Sequence, residues 1–405
     1  MKFFNHDPGA SQGPDAAARL GKLPPYLFAE IDKKKRELQA HGKDVIDLGV
    51  GDPDLPTPKF IIDALAEAAQ DPVNHRYALD AGMPELRQTI ARWFERRYQV
   101  KLDPEKEILP LIGSKEGIAH FPLAILNTGD VSLVPDPCYP PYRSGTWFAG
   151  GEVHSMPLLE SNDYLPDLAQ IPAALLRRAK LLYLNYPNNP TAATATPDFF
   201  AQALDFAVKN RLVVLHDAAY NEVTYDGYRA PSFLQTPGAK EHCVEFHSLS
   251  KTYHMTGWRV GFAVGSAQWI SLLGKVKSNI DSGIFRAVQW AAKAALEKGE
   301  EALKEHLGIY RARRDLLIGA LNGLGWKIEP PKATFYCWIP VPAGYTSAEL
   351  ALRFLEDLYI VVTPGSGFGA NGEGYFRISL TVPDHDLKRA VERIEKSRGG
   401  IRSRS

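Results

Sequence analysis

Between Leu109 and Val264 the chain repeats one pattern. A short apolar run is followed by a stretch in which apolar residues return at helical spacing. The apolar runs lie at 107–112, 130–134, 181–185, 212–216, 244–248 and 260–264. In most of them the apolar residues are nearly continuous instead of alternating, so these strands need cover on both faces. Strands of this kind, spaced by helices, predict a mostly parallel sheet with helices on either side. The core of the fold is therefore an α/β layer structure.

The flanks read differently. A helical pattern passes through Tyr26, Leu27, Ile31 and Leu38, with residues 33–37 as its polar face. Residues 45–50 form a short apolar run closed by Gly51-Asp52-Pro53, a strand entering a turn. Amphipathic helices are expected at 58–70 and 84–98, and helices dominate again over 269–321. Beyond them come strand candidates at 327–329, 333–339, 360–363 and 375–380, a helix at 347–358 and a closing helix. The expected organisation is an arm and part of a small domain over 1–57, a large domain over 58–300, and a small α+β domain over 301–405. No internal repeat or low-complexity block interrupts it.

Charge narrows the function. Lys+Arg and Asp+Glu both total 47, so no basic excess points to nucleic acid or an anionic membrane. With 45% hydrophobic residues the chain is too apolar for disorder. The three cysteines, Cys138, Cys243 and Cys337, are an odd number without a CxxC, which argues against a disulfide framework or zinc site and fits a reducing compartment. No stretch approaches the roughly 20 apolar residues of a membrane span. The segment from Met1 to Arg19 lacks the apolar stretch of a secretory signal and reads as a loose arm. A cytoplasmic protein is expected.

One motif fails on context. Gly367-Phe-Gly369-Ala-Asn-Gly372 matches the dinucleotide fingerprint GxGxxG, which requires a helix after its last glycine. Here a strand pattern, Tyr-Phe-Arg-Ile-Ser-Leu, follows, and the glycines read as a flexible turn. The segment Ser-Leu-Ser-Lys-Thr-Tyr-His-Met-Thr-Gly-Trp-Arg-Val-Gly-Phe (248–262) is more informative. An isolated lysine on a loop is ordinarily a surface residue. Lys251, however, follows an apolar strand among hydroxyl side chains, and a lysine so placed can form a Schiff base with a carbonyl cofactor. Ser248, Ser250 and Arg259 supply the hydroxyl and guanidinium donors that a phosphate monoester requires.

Other polar groups stand at strand ends. Asp217 follows a run that should be buried, where a carboxylate needs a cation or hydrogen bonds. A protonated pyridine nitrogen would be such a cation, and a helix N-cap is the plainer alternative. Tyr220 follows three residues on, suited to a ring hydroxyl, or else to the core. Asn188-Asn189-Pro190-Thr191 could be only a turn. Gly-Ser-Lys-Glu-Gly (113–117) suits an anion at a helix N-terminus, and Tyr139 offers a stacking platform. Each signal is weak alone. All sit at carboxyl ends of predicted strands of one sheet, where open α/β sheets bind ligands.

Taken together, residues 24–394 resemble the class I/II aminotransferases, pyridoxal-phosphate enzymes of fold type I. The segment around Lys251, Asn-Asn-Pro-Thr, His-Asp-Ala-Ala-Tyr and Phe-Arg-Ile-Ser carry the resemblance in order and spacing. Leu-Pro-Pro-Tyr-Leu-Phe-Ala (23–29), 113–122 and Val-Pro-Asp-Pro-x-Tyr-Pro (134–140) look most like the LL-diaminopimelate branch.

The resemblance implies a seven-stranded sheet in the large domain, pyridoxal 5′-phosphate as cofactor, amino acid and 2-oxo acid substrates, and a homodimer with shared active sites. It implies that Lys251 holds the cofactor covalently and shuttles a proton, that Asp217 pairs with the pyridine nitrogen, and that Asn189 and Tyr220 bind the ring hydroxyl. Tyr139 would stack on the ring. Ser114, Lys115, Ser248, Ser250 and Arg259 would hold the phosphate, with Tyr77 reaching it from the other subunit. Arg377 would take the substrate α-carboxylate beside Gly51, and Tyr26, Lys115, Tyr139 and Asn189 would line the substrate pocket. Asp80, on the loop of Tyr77, is the candidate for a distal ammonium, or else a solvated turn residue. One departure stands out. The family usually has glycine after Asn-Pro-Thr, and here Ala192 follows, at a cost of about 1–2 kcal/mol if the backbone there has positive φ.

Overall fold

The computed structural model describes residues 15–23, 29–78 and 81–397. The helix α1 (Ala29–Ala40), the strand β1 (Ile46–Asp47) and the helices α2 (Lys59–Gln70) and α3 (Pro84–Tyr98) precede the main sheet. That sheet has seven strands: β2 (Ile108–Leu111), β3 (Val131–Asp136), β4 (Glu152–Pro157), β5 (Ala179–Leu184), β6 (Val213–Asp217), β7 (Cys243–Ser248) and β8 (Gly261–Gly265). Their spatial order is β2-β8-β7-β6-β5-β3-β4. The neighbours from β7 through β4 run parallel, whereas β8 is antiparallel to both β7 and β2. The helices α4 (Ser114–Ile125), α5 (Pro141–Phe148), α6 (Ala173–Leu176), α7 (Pro197–Asn210) and α8 (Leu249–Thr252) connect them.

Alternate residues of the strands feed opposite cores. Leu182, Leu184 and Val214 join one cluster, with Phe200 and Phe262, while Leu181, Tyr183, Val213 and Leu215 join the other, with Phe121 and Phe246. This two-residue period places apolar side chains on both faces, which is why the runs read as continuous. Strand β4 was not legible. It is Glu-Val-His-Ser-Met-Pro at the sheet edge, pairs only with β3 and is mostly solvent-facing, so it needs no apolar run.

The helical stretch after the sheet resolves into α9 (Ala267–Lys277), α10 (Arg286–Lys298) and α11 (Glu300–Gly323). The chain then builds β9 (Tyr336–Pro340), α12 (Ser347–Leu358), β10 (Ile360–Val361), β11 (Thr363–Pro364), β12 (Tyr375–Ser379) and α13 (Asp384–Lys396). Strands β11, β12 and β9 form an antiparallel sheet, and β1 pairs in parallel with β10. A third core unites Ile31, Ile46 and Leu48 with Phe335, Leu350, Phe354, Phe376 and Ile378. Helix α12 begins where the sequence predicts it, because Thr346 and Glu349 form a reciprocal capping box.

Three expected strands need correction; that at 360–363 divides into β10 and β11, which pair in different sheets. The run 45–50 contributes only Ile46–Asp47 to a ladder. The carbonyls that follow are used elsewhere: Gly49 O accepts from Arg377 and Thr363, Val50 O from Thr381 and Gly51 O from Lys251. Residues 327–329 form no strand, because the Asn322 side chain bonds both the N–H and the C=O of Ile328. The glycines of 367–372 are also not a flexible turn. Gly365 and Gly372 pack backbone against backbone, and a Cβ on Gly369 would sit 1.7 Å from Asp136 Oδ1. Close approach, not mobility, requires glycine there. Among the described residues, no helix is long and apolar enough to cross a membrane.

Candidate active site

A cavity of about 380 Å³ opens where the carboxyl ends of the parallel strands meet the third core. Its wall includes Gly51, Ser114, Tyr139, Asn189, Asp217, Tyr220, Ser248, Lys251 and Arg377. Nine positions singled out in the sequence therefore converge on one space. Lys251 stands on the single turn α8 directly after β7 and donates from Nζ to Gly51 O at 3.0 Å.

Asp217 ends β6 and is buried. Its Oδ2 accepts from the Tyr142 hydroxyl at 2.7 Å and its Oδ1 from the Ala219 N–H at 3.2 Å. Burial pushes its carboxyl up, and the Tyr142 hydrogen bond is the largest influence opposing that, followed by Ala219 and by the charge of His216 and His247. Among the described residues no lysine, arginine or histidine forms an ion pair with Asp217, and the hydrogen bonds that its carboxylate accepts at the cavity come from neutral donors. It is not a helix N-cap: the described chain after it makes turns, and no helix starts there.

The neighbouring Asn185 ties the wall together. Its amide donates to Asp217 O at 2.8 Å and its Oδ1 accepts from Asn189 N at 2.9 Å. Asn189 Oδ1 in turn accepts from Arg377 Nη1 at 2.7 Å. Arg377 comes from β12, donates from Nη2 to Gly49 O at 2.8 Å, and lies between the rings of Tyr336 and Phe368, 4.1 and 4.7 Å from their centroids. Its Nε is buried without a partner, and burial is the main cause lowering its basicity. A buried guanidinium without a carboxylate is a site built for an anion.

The opposite end presents hydroxyls and backbone N–H groups. Gly113, at φ 78°, turns the chain into α4, whose first turn carries Ser114 and Lys115. Helix N-terminal N–H groups without internal partners attract anions. A Cβ on Gly261 would lie 2.8 Å from Ser114 N, so β8 passes under this turn at glycine distance. The Arg259 guanidinium packs against Gly113 and donates to Thr256 O at 2.8 Å.

Four expected residues, Lys115, Ser250, Arg259 and Tyr77, fall outside the cavity wall. Lys115 and Arg259 are exposed, and the buried Ser250 donates to Met255 O at 3.4 Å. Tyr77 is 89% exposed and makes no hydrogen bond or aromatic contact with another described residue. Tyr26 and Asp80 lie outside the described residues. Sequence reasoning missed Asn185, Tyr142 and Tyr336. Asn185 is the polar end of a predicted strand, and Tyr142 follows Tyr139 at helical spacing, so both left a signal. Tyr336, whose hydroxyl lies 3.1 Å from that of Tyr220, left none. Ala192 has φ 59°, the left-handed conformation expected of a glycine there.

The profile of the family "Aminotransferase class I and II" matches residues 43–394. The chain belongs to this family. This aminotransferase chain is 54% identical over 385 residues to the LL-diaminopimelate aminotransferase of Moorella thermoacetica, covering 95% of this chain and 99% of that one. It is 56% identical to the enzyme of the same name from Syntrophobacter fumaroxidans, covering 94% and 98%. Among solved structures, substrate-bound BacF from Bacillus subtilis superposes with a TM-score of 0.91 at 39% identity, covering 96% of this chain and 100% of that one. A probable N-succinyldiaminopimelate aminotransferase from Thermus thermophilus gives a TM-score of 0.86 at 40% identity, covering 91% and 99%. The seven-stranded aminotransferase fold implied by the sequence motifs is the fold observed.

Proposed function

We propose that this aminotransferase uses pyridoxal 5′-phosphate to transfer an amino group from LL-2,6-diaminopimelate to 2-oxoglutarate. The products are glutamate and 2-amino-6-oxopimelate, which cyclises to tetrahydrodipicolinate, a step of lysine biosynthesis. The observation that carries the cofactor reading is Asp217, a buried carboxylate at the cavity that forms no ion pair among the described residues. A protonated pyridine nitrogen supplies the cation. The name shared by the relatives at 54% and 56% identity supports the donor.

The residues present fit the cofactor. Ser114 and Ser248, the first turn of α4 and the guanidinium of Arg259 suit its phosphate, with Lys115 and Ser250 supporting that end. Tyr139 suits its ring face, and Asn189 and Tyr220 its ring hydroxyl. When bound, the cofactor supplies an electron sink for negative charge at the substrate Cα. Lys251 holds the cofactor, and its Nζ then takes and returns the Cα proton as general base and acid. Asp217 keeps a fixed negative charge beside the ring. Arg377 orients the substrate through its α-carboxylate, with Gly51 beside it, which places the Cα–H bond toward Lys251. Tyr26, Lys115 and Asp80 are the residues we assign to the rest of the substrate pocket.

The same reading makes the enzyme a cytoplasmic homodimer, with Tyr77 completing the partner's phosphate site, and sets the domain boundaries at 57 and 300. A donor and acceptor panel on the purified protein is the test. LL-diaminopimelate with 2-oxoglutarate should give the highest kcat/KM, with the LL isomer favoured over meso. Asp80→Asn should cost roughly tenfold to a hundredfold in kcat/KM for diaminopimelate and little for glutamate. A higher kcat/KM for aspartate, alanine or an aromatic amino acid would assign the site to that donor instead.

A further inference from the structure

Among the described residues, the Tyr142 hydroxyl hydrogen-bonds Asp217 alone. Tyr142 is the second residue of α5, fully buried, and its ring stacks on Tyr183 with centroids 5.1 Å apart and planes at 20°. Tyr139 packs edge-on at 5.8 Å and 82°. The buried ring is held between two aromatic neighbours in contact with it, and among the described residues its hydroxyl has one acceptor, Asp217 Oδ2 at 2.7 Å. Together with the Ala219 N–H on Oδ1 it grips both oxygens of the carboxylate and fixes its plane.

We propose that Tyr142 is a positioning residue for the cofactor, holding Asp217 ionised and in one orientation against the ring nitrogen. This rests on the cofactor reading given above. A carboxylate buried without a cation is driven to take up a proton, and a hydrogen bond to its charged form resists that. Tyr142 makes the largest opposing contribution at Asp217, and its own ionisation is pushed well above the ordinary tyrosine range, so it remains a donor. A tyrosine that merely filled the core would contribute packing alone. The two roles differ in one respect: only a positioning role depends on the nitrogen of the cofactor ring.

The experiment compares pyridoxal 5′-phosphate with its 1-deaza analogue, which has carbon in place of the ring nitrogen. Dissociation constants for both are measured on apoenzyme of wild type and Tyr142→Phe. The wild type should prefer the natural cofactor. Tyr142→Phe should reduce that preference by about tenfold, the size expected for one hydrogen bond to a charged group, with the analogue's affinity changed less than about twofold. Equal weakening of both ligands, leaving the preference intact, would reduce Tyr142 to a packing residue. Replacing Tyr142 by 3-fluorotyrosine keeps the ring and makes a stronger donor, so the preference should rise. An unchanged preference there overturns the proposal even where Tyr142→Phe does not fold. Should the wild type bind both ligands equally and tightly, Asp217 does not read the nitrogen and this proposal fails while the cofactor assignment stands; failure to bind either would remove the cofactor assignment itself.

Discussion

The Nζ of Lys251 lies 3.0 Å from the carbonyl oxygen of Gly51, 200 residues earlier in the chain. Gly51 follows the strand β1 of the third core, whereas Lys251 follows β7 of the main sheet, so the contact spans the mouth of the cavity. It also explains the glycine. A Cβ on residue 51 would fall 2.0 Å from the Tyr336 hydroxyl, which is itself bonded to Tyr220.

Lys251 should carry the cofactor. Borohydride treatment of the holoenzyme followed by peptide mapping is expected to find the label on Lys251. Lys251→Ala should retain cofactor through phosphate and ring contacts yet lose transamination. A label on Lys115 or Lys275 would remove Lys251 from its role.

Tyr77 is 89% exposed within its own chain, which leaves it free to serve a neighbour. Mixing inactive Lys251→Ala with a severely impaired Tyr77→Phe tests this. In hybrid dimers one site inherits both defects and the other neither, so activity should return toward a quarter of wild type at equal mixing. Verified subunit exchange without recovery would show that the sites are not shared.

Glu245 anchors the buried polar layer behind Asp217. Its carboxylate accepts from His216 at 2.9 Å, His247 at 2.8 Å, the Ser232 hydroxyl at 2.8 Å and the Phe233 N–H at 2.7 Å. Burial pushes its carboxyl up, but the hydrogen bonds and charge of the two histidines outweigh that and hold it far below the ordinary carboxylate range. A depressed folded-state pKa stabilises above the unfolded value, about 4.3 for glutamate, and the benefit fades as pH falls toward the folded value. Glu245→Gln should therefore lose about 3–5 kcal/mol at pH 7. The gap should stay constant down to about pH 5 and narrow below about pH 4. Urea titrations across that range measure it, and a gap that widens in acid would contradict the assignment.

Ala192 occupies a left-handed conformation at φ 59°. Ala192→Gly should relieve about 1–2 kcal/mol of strain and lose about 0.4–1 kcal/mol through the freer unfolded chain. The expected net gain, between about 0 and about 1.6 kcal/mol, should appear as a higher urea midpoint. A lower midpoint would mean that the alanine methyl packs well enough to offset the strain.

The sequence by itself determined six of the seven strands of the main sheet, most helices and the identity of the chemical groups. Continuous apolar runs predict strands covered on both faces, and the helical period of 347–358 predicts α12, because burial period is a local property of the chain. Lys251, Asp217, Asn189 and Ser114 were legible for the same reason: each is a polar residue just past an apolar run. What only the tertiary structure decided is which polar group meets which. The carbonyls of Gly49 and Gly51 meet Arg377 and Lys251 across 328 and 200 residues, which ends a strand that the apolar pattern would have continued. Asn322 consumes the backbone groups of Ile328, and Tyr142 reaches Asp217 across 75 residues. A buried polar atom must find a partner, but nothing in its neighbours along the chain names that partner. The packing of one core against another does.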